Sequence, residues 1–288
     1  QQLAAYGELA EGVSAGHHLS SRLSWQSDTE LLLTHNTELS VTGLTVDYDG
    51  YELNDGRLNA SLAGWPELRA DLSFTAASID VGLPLTDFKS ELTIFSDLDS
   101  LETQVSAEKL SVKVLGGSIN SRLLQFQYPT LDGAAVLTIE GLQVKELLAL
   151  QPQNIEGSGL ISGSVPVQIR NGSLSIEQSE IAAVAPGGYI RFTAEESVRV
   201  LADTNASMAV VLDAMEDFHY HTLSAIVDYG EDGQMYAQTS VKGANPNYQG
   251  GREVHLNLNL EENILVLLQS LRLGEDLAEK ISEKTTTR

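Results

Sequence analysis

The sequence predicts a mainly β protein built on a large antiparallel sheet. Three observations lead to this fold class: apolar and polar residues alternate along most of the chain, turn-forming residues separate the alternating segments, and helical periodicity is confined to short stretches. An alternation with a period of two places the apolar side chains of a strand on one side of a sheet. One apolar and one polar face is typical of antiparallel rather than buried parallel sheets.

The alternating segments follow one another from residue 68 to residue 260. In the first of them, Leu72 and Phe74 alternate with Asp71, Ser73 and Thr75. The same-side positions of the later segments are Leu110, Val112 and Val114; Val165, Val167 and Ile169; Leu223, Ala225, Val227 and Tyr229; Met235, Ala237, Thr239 and Val241; and Val254, Leu256, Leu258 and Leu260.

Residues that tolerate positive φ separate these segments and predict hairpins. Asn171-Gly172 lies between two alternating segments, and Gly230–Gly233 joins the segment ending at Tyr229 to the one beginning at Met235. Because short turns join consecutive segments, the sequence predicts a meander of neighbouring strands.

Helical spacing occurs in two places. A short amphipathic stretch near residues 144–151 is closed by Pro152. A C-terminal helix is predicted near 261–272, where Ile264, Leu267, Leu268 and Leu271 recur at helical spacing. Two glutamates in its first turn complement the positive end of the helix dipole.

The composition disfavours several classes of function. The 288 residues include 17 Lys and Arg against 40 Asp and Glu, which gives a formal net charge of −23. Nucleic acids and anionic membrane surfaces are bound chiefly through clustered cations, so neither is an expected partner. Cysteine is absent, which excludes disulfides and thiolate metal sites. No apolar run approaches the roughly 18 residues of a membrane span. Because the chain begins with Gln1 rather than Met, we expect a piece of a longer protein.

Four local motifs imitate functional sites, and each has a simpler structural explanation. Gly12–Gly16 matches the G-x-S-x-G elbow but has no strong strand before it and is expected to be a flexible turn. The glycines of 157–163 precede a strand rather than the helix that a phosphate loop requires. His219 and His221 supply only half of a zinc site, and the calcium-like segment Asp228–Gly233 lacks the closing glutamate.

These motifs lead us to expect no enzyme, no cofactor and no metal site. The sequence does not exclude a catalytic pair of carboxylates of the kind used in glycoside hydrolysis. It is not favoured, because only two Trp are present to stack on sugar rings.

An ordered set of segments between residues 79 and 273 resembles the AsmA-like proteins of diderm bacterial envelopes, and among them the YdbH-like branch. The first segments that carry the resemblance are Ile79–Phe88, Leu110–Val114 and Leu115–Ile119. The others are Gly141-Leu142, Leu147–Gln153, Gly157–Val167, Ala185–Phe192, Phe218–Tyr220, Gly243–Pro246 and Val254–Asn263 with Leu271. No single segment is specific, whereas the ordered set is.

The resemblance implies a long curved antiparallel sheet, an open half-barrel whose apolar concave face is a groove for acyl chains. It further implies a periplasmic segment of an intermembrane phospholipid-transport bridge. An upstream segment would anchor that protein to the inner membrane, and its C-terminal end would dock on a small outer-membrane lipoprotein. On this basis we expect an N-terminal part of the sheet (1–78), a family-like β domain (79–273) and an acidic tail (274–288).

Two interpretations of the apolar face stay open. The alternation alone favours a face filled by the protein's own core, whereas the resemblance implies a groove that phospholipid occupies. The candidate groove residues are Leu72, Phe74, Leu110, Val112, Val114, Val165, Val167, Ile190, Phe192, Leu223 and Val227.

A second hypothesis is a structural docking module without a lipid path. Its edge strand would receive a strand from the lipoprotein by β-augmentation. The candidate edge residues are Val254, Leu256, Leu258 and Leu260.

Overall fold

One antiparallel sheet of 15 strands dominates the computed structural model, which describes residues 13–27, 31–48, 50–64, 67–150 and 154–271. The predicted mainly β fold class is confirmed. The strands are β1 (Val13–Ser27), β2 (Leu31–Tyr48), β3 (Tyr51–Ala63), β4 (Glu67–Asp80), β5 (Pro84–Asp97), β6 (Thr103–Val114), β7 (Gly117–Tyr128), β8 (Asp132–Gln143), β9 (Ile155–Gly157), β10 (Leu160–Arg170), β11 (Ser173–Ala183), β12 (Gly188–Phe192), β13 (Phe218–Tyr229), β14 (Gln234–Ala244) and β15 (Val254–Asn263).

The order of strands in the sheet follows the order of the chain almost throughout. Strands β1 to β8 are successive neighbours, and the sheet continues from β8 through β10, β11, β13 and β14 to β15. The short strands β9 and β12 pair with each other, and β12 lies beside the first residues of β13. Among the described residues, β1, β15 and the short β9 each pair with a single strand, and β1 and β15 are the two long strands at the edges of the sheet.

Both hairpins predicted from turn residues are present. Asn171 and Gly172 have φ values of 50° and 79° and connect β10 to β11. Gly233, with φ of 82°, closes the turn between β13 and β14, where Tyr229 pairs with Met235. The meander prediction is therefore confirmed at these turns.

Shifts of register keep the apolar side chains on one face. In β13 the shift between Tyr220 and Thr222 inserts one residue relative to β14. Tyr220 and Leu223 are three residues apart and would face opposite sides of a regular strand. Both pack into one apolar cluster, because the extra residue of the bulge turns Leu223 to the same side as Tyr220.

Four helical segments interrupt or follow the strands: α1 (Val144–Ala149), α2 (Glu196–Asp203), α3 (Ala206–Met215) and α4, described over 264–271. The predicted helix near 144–151 corresponds to α1, which buries Val144. The predicted C-terminal helix is also present but begins later than residue 261, because β15 continues to Asn263. The Asn263 side chain caps α4 by accepting a hydrogen bond from the Val266 amide at 3.0 Å.

The sequence patterns did not reveal α2 and α3. The α3 sequence ASMAVVLDAM is apolar around most of its circumference, so it lacks the one-sided spacing that marks a surface helix. Its apolar character has a structural cause, since α3 packs on the sheet near β12.

The proposed division of the chain stays a prediction. The division between residues 78 and 79 falls inside β4, which pairs with both β3 and β5. The acidic tail 274–288 lies outside the described residues.

Candidate functional site

One face of the sheet, here called the apolar face, carries a continuous row of apolar side chains across nine strands. Directly opposed residues of antiparallel strands share a face. From β2 to β11 the opposed residues are Leu39, Ala60, Leu72, Leu92, Ala107, Leu124, Ala135, Val167 and Ile176. Strands lie about 4.8 Å apart, so the row crosses roughly 40 Å of sheet.

Two flanking rows widen the apolar face. One consists of Val41, Leu58, Phe74, Ser90, Leu110, Ser121, Leu137 and Val165. The other contains Leu62, Ala70, Ile94, Val105 and Phe126. Phe74 also contacts Phe88, with ring centroids 5.7 Å apart. The apolar face is therefore a band several side chains wide.

No second layer of the described structure packs over this face between β2 and β7. The main packing partners of these strands are their neighbours in the sheet. Leu72, Leu92 and Leu124 are only half-buried, whereas the buried positions on the same row are Ala107, Ala135 and, further along on β10, Val167. Large apolar side chains beneath a second layer would be buried, as domain cores normally are.

The predicted groove residues lie in three different surroundings. Leu72, Phe74 and Leu110 are half-buried on the uncovered part of the face. Val112 and Val114 are buried on β6, and Val165 and Val167 are buried in a cluster with Ala135. Ile190, Phe192, Leu223 and Val227 lie in the C-terminal section, where Ile190 is buried and the other three are half-buried.

In that C-terminal section, α3 covers part of the apolar face. Its Ala214 and the first residue of β13, Phe218, are both 0% exposed. They pack together with Ile190, Tyr220, Val241 and Leu256, and Leu223 and Met215 flank the cluster. The apolar face thus carries a packed cluster under α3 and, between β2 and β7, half-buried leucines beside the buried Val112 and Val114 of β6.

Polar contacts fasten α3 and its flanking loop to the sheet. The buried Asn245 side chain donates a hydrogen bond of 2.8 Å to the Asp213 carbonyl oxygen. Arg191 donates to the Asp217 carboxylate at 2.7 Å and, helped by His219, holds the pKa of that carboxyl below its ordinary value. This pair therefore stabilises the fold above the ordinary carboxyl pKa, and the contribution is lost as the pH falls through the lowered one.

Tyr220 joins the covered cluster to the turn between β9 and β10. Its hydroxyl donates a hydrogen bond of 2.7 Å to the Ser158 carbonyl oxygen, and burial raises the pKa of the phenol. Gly159, with φ of 118°, lies directly against this hydroxyl. Gly157 and Gly159 therefore lie at a tight corner of the sheet, Gly163 lies within β10, and no helix follows them as a phosphate loop would require.

The opposite face is polar and ionic. Lys109 pairs with Glu91 at 2.8 Å, Arg69 pairs with Asp71 at 2.9 Å, and Lys113 pairs with Asp87. These partners lower the pKa of Asp71 and Asp87. All are exposed, so they add little to stability. A shallow depression of about 540 Å³ is lined by polar residues of β2 to β6 together with Leu39, Ala60, Leu72 and Leu92.

The free edge at β15 holds the four predicted edge residues. Val254, Leu256, Leu258 and Leu260 pair with Gly243, Val241, Thr239 and Ala237 of β14, and no described strand pairs with their other side. Val254 is half-buried, Leu256 is buried, Leu258 is half-buried and Leu260 is exposed.

The local motifs that imitate catalytic sites have structural explanations. Val13–Gly16 belongs to β1, so the expected flexible turn is wrong and no strand–turn–helix elbow exists. His221 and His255 both contact Glu253, at 2.9 and 3.3 Å, and lower its pKa. No group of three or more metal-ligating side chains occurs within the described ranges.

The sequence patterns missed several residues of the uncovered face. Leu92, Leu124 and Ile94 complete the rows around the predicted Leu72 and Phe74. Each lies in an alternating segment, but only strand register shows which of them are neighbours.

The fold and the apolar face define a class: a protein with one antiparallel sheet whose apolar face is partly uncovered. A family model described as "YdbH-like: Intermembrane phospholipid transport protein YdbH" matches residues 2–286. The chain belongs to this YdbH-like family, as the ordered sequence segments predicted.

A relative from Escherichia coli (strain K12), the "Probable phospholipid transport protein YdbH", is 27% identical over 169 residues, which are 58% of this chain. The matched region covers 19% of that relative's length, about a fifth of it. No solved structure matches the chain.

Proposed function

We propose that this chain is a segment of an intermembrane phospholipid-transport protein and that the uncovered apolar face holds acyl chains. The observation that carries the proposal is the row from Leu39 to Ile176, whose leucines Leu39, Leu72, Leu92 and Leu124 are only half-buried. Removing apolar surface from water stabilises by about 25 cal/mol per Å². A band of this kind therefore favours contact with hydrocarbon over contact with water.

The family description and the name of the E. coli relative support phospholipid as the ligand. The described residues contain no helix long and apolar enough to cross a membrane. On the proposed function, this segment lies in the periplasm and an upstream part of the protein anchors it to the inner membrane. The face then acts as one stretch of a bridge between the two membranes, without an enzymatic step.

Photo-crosslinking in the complete protein in cells tests this function. A photoreactive residue at Leu124 on the apolar face is expected to form phospholipid adducts, because this half-buried side chain lies in the central row. The matched control is the next residue, Gln125, which is exposed on the polar face. Mass spectrometry identifies the adduct. Equal lipid labelling at the two positions, or none at Leu124, would exclude this use of the face.

A second candidate function is docking of a small outer-membrane lipoprotein by strand addition to β15. The observation in its favour is that β15 pairs with β14 alone among the described strands. Its unpaired backbone groups are able to bind an incoming strand. This role is compatible with the lipid path, because strand addition uses the edge of the sheet and acyl chains use its face.

Proline substitutions along β15 test strand addition. Backbone amides of an edge strand point alternately toward the neighbour and away from it. Proline at 257, 258 and 259 in turn is therefore expected to abolish partner binding without unfolding wherever the lost amide points outward. Circular dichroism reports folding, and co-purification with the lipoprotein reports binding. Partner binding that survives every folded proline variant would rule out β15 as the docking edge.

A further inference from the structure

We propose that the tips of three neighbouring hairpins form a docking surface for a protein partner that carries basic residues around an apolar strip. We call this surface the apolar rim and define it by four exposed residues: Leu101, Tyr128, Leu131 and Leu174. The inference does not depend on the acyl-chain proposal, because it uses the turns at the ends of strands and not the row of leucines across the sheet. It is also separate from the edge strand β15.

The three hairpins end on the same side of the sheet. In an antiparallel meander alternate turns lie at the same end of the strands, so the turns β5–β6, β7–β8 and β10–β11 are neighbours. Thr103 pairs with Tyr128 between the first hairpin and the second. The Gly172 amide of the third hairpin donates to the Leu131 carbonyl oxygen at 3.1 Å. Because strands lie about 4.8 Å apart, the apolar rim extends over roughly 20 Å.

The side chains of the apolar rim are open to solvent. Leu101 is 69% exposed, Tyr128 is 56% exposed, and Leu131 and Leu174 are each 39% exposed. Single exposed apolar residues are ordinary, whereas neighbouring ones that polar residues surround are typical of interaction sites. Turns are normally polar, so four large apolar side chains at successive turns require an explanation.

Two of these leucines have a backbone conformation that disfavours them. The φ values of Leu101 and Leu131 are 60° and 56°. In the left-handed region the Cβ atom of an L-residue crowds the carbonyl oxygen that follows it, so glycine or asparagine usually occupies such positions. Leu115 also has a positive φ, but it is half-buried at the opposite end of the strands, where the fold accounts for it.

Leu101 is therefore the clearest case in the apolar rim. Its backbone is strained and its side chain gains little burial in return, so folding alone favours glycine or asparagine at this position. Strained residues of this kind concentrate at functional sites. A contact with a partner outside the folded chain explains the leucine.

The charge around the apolar rim indicates the kind of partner. Residues 97–102, 128–132 and 170–174 contain a single cation, Arg170, and four carboxylates: Asp97, Asp99, Glu102 and Asp132. The Asp99 amide donates to the Asp97 carboxylate at 2.8 Å and lowers the pKa of that carboxyl. The surroundings of the apolar rim are therefore acidic.

These carboxylates disfavour two other occupants. An anionic membrane surface repels them. A second copy of the chain would bring the same acidic turns and a further formal charge of −23. A protein with Lys or Arg beside an apolar strip complements both features, because its cations pair with the carboxylates and its apolar strip covers the leucines.

Leu101→Asn distinguishes a docking role from a structural one. Asparagine tolerates the left-handed region, so this variant is expected to keep or raise the midpoint of urea unfolding, measured by far-UV circular dichroism. A midpoint below that of the unchanged protein would show that the fold itself requires the leucine and would overturn the inference.

Photo-crosslinking in the complete protein in cells tests the partner. A photoreactive residue at Tyr128 is expected to form adducts with one protein, and mass spectrometry is expected to find Lys or Arg next to apolar residues in the crosslinked peptide. Leu101→Asn, and separately Asp99→Lys combined with Glu102→Lys, are each expected to lower the yield by at least about tenfold. If the charge reversal disturbs the turn, Asp99→Asn combined with Glu102→Gln removes the same charges.

Tyr236 is the matched control position. It is a tyrosine of β14 that is 48% exposed and lies outside the three hairpins, so it is expected to give no such adduct. Protein adducts at Tyr128 that depend on Leu101 and on the two carboxylates support the inference. Lipid adducts alone, crosslinks between two copies, equal protein adducts at Tyr236, a yield that the variants leave unchanged, or no adduct at all would overturn it. None of these results affects the lipid test at Leu124.

Discussion

Replacing Phe218 with alanine is expected to lower the free energy of unfolding by about 3–5 kcal/mol, the range for a buried aromatic residue. Phe218 is completely buried at the start of β13 and belongs to the cluster that joins the sheet to α3. Its removal leaves a cavity that Ala214 and Val241 are too small to fill. The loss is large because typical domains are stable by only about 5–15 kcal/mol.

Urea denaturation followed by far-UV circular dichroism measures this effect. Phe95→Ala is the matched control, because Phe95 is 47% exposed and its ring contact is with the Arg69 guanidinium, 5.1 Å from the ring centroid. The control is expected to cost about 1 kcal/mol or less. Similar losses for the two variants would show that the cluster under α3 is not the stabilising core described here.

Replacing Leu72 with glutamate is expected to block lipid binding while leaving the protein folded. Leu72 is half-buried on the uncovered face, so an ionised carboxylate at this position keeps contact with water in the empty protein. An acyl chain lying on the same row would strip that water without supplying a partner, at a cost of several kcal/mol. We therefore expect lipid adducts at Leu124, three strands further along the row, to fall by at least about 100-fold.

Thr75→Glu is the control for this variant. Thr75 lies on the same strand but is exposed on the polar face, where it pairs with Arg57 and Lys89 across the neighbouring strands. A glutamate there is accommodated by two cations, and lipid labelling at Leu124 is expected to stay unchanged. A loss of labelling in both variants would point to the added charge itself and not to the apolar face.

The strands were predictable because their burial has a period of two that survives in the sequence. The segments around Leu72, Leu110, Val165 and Leu256 each became a strand, and the hairpin at Asn171-Gly172 followed from residues that accept positive φ. These features depend on local residue choice, which a single sequence records.

The arrangement of segments distant in the chain was harder to predict from the sequence. The shift of register after Tyr220 changes which side chains share a face, and alternation alone gives no sign of it. The helix α3 was missed because it is apolar on most sides. Without α3, Ile190 and Leu72 look equivalent in the sequence, whereas the fold buries Ile190 in a packed cluster and leaves Leu72 half-exposed.

The pairing of strands β1 to β8 with their immediate neighbours in the chain has a consequence for assembly. Each new strand finds its partner one turn upstream, so few pairings require distant segments to meet, and such topologies reach the native state quickly. The growing ribbon is able to add strands one after another as the polypeptide emerges. For the same reason, insertion or deletion of a whole hairpin would lengthen or shorten such a sheet and leave the pairing of the other strands unchanged.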